Sequence, residues 1–90
     1  MTHEELSEAS ELVRRAADAT DDADSAETLT NQADQLDRLA ERDRGPDHGR
    51  IARHQHALRD VQDELDGEPA DLLAEANERL NAYRSTVEGV

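Results

Sequence analysis

The 90-residue sequence contains no cysteine, no lysine, no phenylalanine and no tryptophan. Without cysteine there are no disulfides, no thiolate nucleophiles and no cysteine-based metal sites. Tyr83 is the only aromatic residue, so no platform of rings is available for stacking bases. The longest apolar run is Leu72-Leu73-Ala74. A membrane helix needs about 20 such residues, and a secretory signal needs an apolar stretch of about 7 to 15. The expected compartment is therefore the cytoplasm. Glycine and proline are scarce and fall at 45–49, 67–69 and 89, where they act as punctuation. The length allows one domain, 1–90.

What the sequence does have is acid. It carries 23 Asp and Glu against ten bases, all of them Arg, for a net charge of -13. Leu, Ile and Val together supply only 15 residues. Composition of this kind reads as disorder. Helical periodicity and the kind of imbalance oppose that reading. Abundant acid, Arg in place of Lys, and Ala in place of bulky apolar residues suit a salt-accumulating cytoplasm. In molar salt the Debye length shrinks to about 3 Å and the self-repulsion of such a chain is screened. The expectation is a folded, salt-adapted protein. Its acidity argues against nucleic acid or an anionic membrane as partner of the whole molecule.

Four stretches place apolar or small residues at alternating spacings of three and four. They are Leu6-Ala9-Val13-Ala16-Thr20, Ala26-Leu29-Ala33-Leu36-Ala40, Ile51-His54-Leu58-Val61-Leu65 and Leu73-Ala76-Leu80-Tyr83-Val87. Each lays one seam along an α-helix, and no stretch alternates with period two. Thr2 with Glu5 and Asp24 with Glu27 read as capping boxes, and Asp47 reads as an N-cap. Gly67 ends the third helix and Pro69 sits in the first turn of the fourth. The predicted fold is all-α, with helices at about 3–20, 25–43, 48–66 and 69–87.

Short links imply antiparallel neighbours, hence two helical hairpins. In the first, Leu6, Ala9, Val13 and Ala16 face Ala40, Leu36, Ala33 and Leu29, so large meets small at each level. In the second, Ile51, His54, Leu58 and Val61 face Tyr83, Leu80, Ala76 and Leu73. Leu12, Leu39 and Leu72 lie off the seams. They close the hairpins on each other as an up-down-up-down four-helix bundle, or they meet another chain. Thin apolar content in a small domain favours the homodimer.

Charge is uneven. Residues 38–59 hold six Arg against three acids, while 1–37 and 60–90 are strongly acidic. The basic segment also holds His48, His54 and His56. Arg42, Arg44, His48, Arg50 and Arg53 around the second link form a candidate anion- or partner-binding site, helped by backbone N–H groups at a helix start. The opposing reading is neutralisation by Glu4, Glu5, Glu8 and Glu11 at the same end of the bundle.

No arrangement supports catalysis or a cofactor. His48 and His56 are about 12 Å apart by helical rise, too far for one metal ion. His54, on the seam, reads as a core histidine whose charging is resisted. Asp18, Asp21, Asp22 and Asp24 lack calcium-loop spacing and read as solvated acid.

The stretch DRGPDHGRIARHQHALRDVQDELDG (Asp43 to Gly67) and the ending NAYRSTVEGV (Asn81 to Val90) resemble a family of small, acidic, helical haloarchaeal proteins without assigned activity, most sharply in GPDHGR. The resemblance implies a habitat and an all-α fold, and no function. Two functional readings remain. One is a non-enzymatic interaction module, self-associating or bound to another protein. The other is an anion- or nucleotide-binding protein using the Arg/His tip.

Overall fold

Four α-helices form along the four seams: α1 (Glu4–Ala19), α2 (Ala23–Glu41), α3 (His48–Glu64) and α4 (Glu68–Arg84). They come from a computed structural model, which describes residues 3–87. No strand occurs among the described residues, and no helix there is long and apolar enough to cross a membrane. Successive helices run antiparallel. α1 packs extensively on α2 and α4, α3 leans on α4, and the α2–α3 contact is the slightest.

The seams explain this order. Leu6, Ala9, Val13 and Ala16 are fully buried, as are Leu29, Ala33 and Leu36 opposite them, with Ala40 nearly so. Alternating large and small side chains let α1 and α2 approach closely. Ile51, Leu58, Leu73, Ala76 and Leu80 fill the other half of the same core. Leu12, Leu39 and Leu72 are also buried, at 7%, 3% and 7% exposure. The hairpins therefore close on each other within one chain. The face of α2 turned toward α3 carries Gln32 and Gln35 where aliphatic residues would have drawn the helices together.

Helix ends follow capping chemistry, with corrections; α3 ends at Glu64, so Gly67 caps the start of α4 rather than ending α3. α2 starts at Ala23, and its cap is Asp22, whose carboxylate accepts from the backbone N–H groups of Asp24 and Ser25. Asp24 lies inside the first turn, so the expected Asp24–Glu27 box does not form. Asp22 wins because Thr20 Oγ1 accepts its backbone N–H, holding it just outside the helix. Asp47 caps α3 as expected, accepting the Arg50 N–H at 2.9 Å. Gly67, at φ 67°, takes the left-handed conformation that starts α4. Thr2 lies outside the described residues. α4 stops at Arg84, three residues short of expectation, and Val87 follows a turn, half-buried against the core.

The α2–α3 link closes against both ends of the chain. The His3 N–H donates to the Ala40 carbonyl at 3.0 Å, and His3 Nε2 donates to the Arg42 carbonyl at 3.1 Å. The Tyr83 ring meets the His3 ring edge-on at 5.7 Å, and its hydroxyl donates to the buried Pro46 carbonyl at 2.8 Å. Gly45 permits this: a Cβ there would overlap the Tyr83 hydroxyl and lie 3.0 Å from His3 Nε2. At mid-height, Ser10 donates to Asp37 at 2.5 Å, and Arg14 bridges Asp34 (2.8 Å) and Asp37 (2.5 Å). Burial raises the affinity of the Asp37 carboxyl for its proton, but the Ser10 hydroxyl and the Arg14 guanidinium outweigh it. The Asp37 pKa is held below the ordinary 3.8.

Candidate functional site

The slight α2–α3 contact leaves a groove of about 280 Å³ lined by Gln32, Gln35, Arg50, Arg53 and His54. Gln32 and Gln35 lie three apart on α2, so both face the same side. Arg50, Arg53 and His54 occupy one face of the first turns of α3, where the Asp47 cap fixes the helix start. The lining holds two guanidiniums, an imidazole and two carboxamides, and no carboxylate, in a chain with 23 acids. Forked N–H donors without a protein anion suit an oxyanion. None of the five is a hydroxyl or a carboxylate.

His54 is the most enclosed member, 8% exposed. Its Nδ1–H donates to Gln32 Oε1 at 2.6 Å, which fixes ring and tautomer and leaves the lone pair on Nε2. Burial pushes the imidazole below its ordinary 6.5, and the charge of Arg50, one turn earlier, pushes the same way. The ring is neutral at neutral pH. His54 thus keeps its expected place beside the core while forming part of the groove wall.

The sequence-predicted tip residues are divided among three places. Arg50 and Arg53 share the groove. Arg42 and Arg44 are exposed on the link, outside it. His48 turns the other way, toward α4: its Nδ1 accepts from Arg84 Nε at 3.3 Å, and its Nε2 donates to the Val87 carbonyl at 3.4 Å. With both ring nitrogens engaged, His48 serves the α3–α4 seam. Arg84 continues that network to Gln55, whose amide reaches Asn81 and the Asn77 carbonyl.

Among the described residues, Arg42, Arg44, Arg50 and Arg53 make no ion pair within 4.0 Å, and Glu8 instead meets Arg79 on α4 at 3.8 Å. A smaller hollow of about 160 Å³ between α1 and α4 has Glu8, Glu11, Leu12, Arg15, Glu75 and Arg79 around it. There acids and arginines offset one another. Among the described residues, no group of three His, Asp or Glu is placed to hold a metal ion.

Gln32 and Gln35 were missed in the sequence because uncharged polar residues on a helix read as solvated surface. The signal that finds them is positional: they interrupt the side of α2 that must meet α3. Gln55 and Asn77, buried at 2% and 6% exposure, were missed for the same reason.

Over residues 1–86 the sequence matches the model of DUF7553, a family of unknown function. The chain belongs to the DUF7553 family. The matched range spans all four helices, so both walls of the groove lie inside the family's bounds. No curated protein and no solved structure matches this DUF7553 chain.

Proposed function

We propose that this DUF7553 protein is a non-enzymatic binding protein that takes a small oxyanion, a phosphate or carboxylate group, into the groove between α2 and α3. The observation that carries this reading is the pair Arg50 and Arg53. Both line a concave site, neither meets a protein carboxylate, and the surrounding molecule is strongly acidic. An unpaired guanidinium binds a carboxylate or phosphate fork with charge-assisted hydrogen bonds, and the groove positions two. The reading includes the setting drawn from composition: a salt-rich haloarchaeal cytoplasm, where only a concave, multi-donor site holds an anion against abundant chloride.

A protein partner is the second reading, favoured by the exposed, unpaired Arg42 and Arg44 on the link. Their charge complements an acidic surface, including that of a second copy. Leu12, Leu39 and Leu72 are buried within the chain, so this reading is supported by the charged link and the thin apolar content rather than by an apolar face.

Calorimetric titration of inorganic phosphate into the protein in molar KCl tests the first reading. Binding is expected for the wild type and a loss of about ten-fold or more for Arg50→Gln/Arg53→Gln. Equal binding by the double variant refutes the groove as the site. Light scattering on the same samples reads the second: a dimer dispersed by Arg42→Glu/Arg44→Glu supports it, and a monomer at all concentrations refutes self-association.

A further inference from the structure

Arg50 and Arg53 can only donate hydrogen bonds, so they accept any oxyanion. His54 differs. With Nδ1–H given to Gln32, its Nε2 presents a lone pair that no described residue partners and that is not sealed from solvent. Resting on the oxyanion reading above, the geometry points to His54 as the residue that selects an oxyanion carrying a hydroxyl proton, inorganic phosphate or a phosphate monoester, over sulfate and phosphodiesters.

The chemistry is donor matching. Sulfate and a phosphodiester bring acceptors only, which satisfy the guanidiniums but set a lone pair against Nε2. A monoprotonated phosphate gives its O–H to Nε2 while its other oxygens accept from Arg50 and Arg53. An acceptor left unmatched in a partly buried site costs the unmade hydrogen bond and its desolvation.

The surroundings keep Nε2 an acceptor. Around His54, α2 presents only the uncharged Gln32 and Gln35, and α3 itself contributes Arg50 and Arg53. Arg84 of α4 is held by Gln55 and His48 in the α3–α4 seam and does not line the groove. Burial and the charge of Arg50 disfavour the imidazolium and hold the pKa of the ring below the ordinary 6.5. A phosphate monoester loses its second proton near pH 6. Above the lowered pKa of the ring the imidazole is free of its proton, and the fraction of ligand that still carries its own is the form His54 takes. At higher pH the ligand loses its donor. At lower pH Nε2 becomes a donor and the discrimination reverses in favour of sulfate.

The test is calorimetry on the wild-type chain in molar KCl near pH 6, with inorganic phosphate, methyl phosphate, sulfate and dimethyl phosphate as probes. Phosphate or methyl phosphate, or both, should bind about ten-fold more tightly than sulfate and dimethyl phosphate, despite the greater charge of sulfate. Methyl phosphate bound alongside phosphate assigns the site to monoesters, and phosphate alone assigns it to the free ion. Either keeps the proposal. The preference over sulfate should shrink near pH 8 and disappear in a His54→Phe variant whose helicity is intact. Sulfate binding as tightly as phosphate in the wild type overturns the selection by His54 and leaves the groove reading standing. Failure of all four probes overturns both.

Discussion

His54 sits where three effects meet: burial, the charge of Arg50 and the hydrogen bond to Gln32. Its folded pKa lies below 6.5, so the unfolded chain takes up the proton first as pH falls through that value. Above it both states are neutral and the residue contributes no pH dependence. Below it stability drops until the folded state protonates too. Thermal melts in fixed KCl should show this loss in the wild type and a flatter profile in His54→Gln; parallel profiles would contradict it. Asp37 acts in a separate window. Its depressed pKa adds stability above 3.8 that is lost as pH falls through the lower folded value. Gly45 is a second residue-scale constraint. Gly45→Ala would drive a methyl group into the Tyr83 hydroxyl and His3, and break the hydrogen bond to Pro46. Urea unfolding should register a loss of about 2 kcal/mol.

For the elements, caps give the sharpest check. Asp22→Ala removes an acceptor from two backbone N–H groups and should cost about 1 kcal/mol. Asp24→Ala, inside the first turn, should cost only a few tenths, from its favourable place near the helix dipole. The reverse order would mean that α2 starts two residues later than described. This is also where the sequence was ambiguous: Thr20-Asp21-Asp22-Ala23-Asp24 offers several cap residues in succession, and the choice rests on how the backbone leaves α1. The seams were legible because buried Leu and Ala recur at helical spacing with no competing period, and their antiparallel register follows from short links. The α2–α3 groove was half legible. Arg50 and Arg53 stood out by charge against an acidic background. Gln32 and Gln35 did not, because their role depends on which side of α2 meets α3, a tertiary fact. His48 was misleading for the same reason: its proximity in sequence to Arg50 says nothing of its turn toward Arg84 and Val87.

The molecule as a whole carries -13 with three Arg–carboxylate ion pairs and one His–Asp contact among its described residues, all involving partly exposed groups. Such pairs contribute little, so under the proposed salt adaptation it is screening by salt that offsets the self-repulsion. Circular dichroism across a KCl series should show helicity and melting temperature rising with salt; full helicity with unchanged stability in salt-free buffer would refute the halophilic reading. The same acidity makes the groove stand out: of the two hollows described, it is the one whose lining holds guanidiniums and no carboxylate. Nuclear magnetic resonance mapping of inorganic phosphate onto the isotope-labelled protein in molar KCl tests that claim most directly. The expected result is saturable shifts concentrated at Gln32, Gln35, Arg50, Arg53 and His54, with the link residues Arg42 and Arg44 unmoved. Shifts confined to the link, or none that saturate, would contradict it.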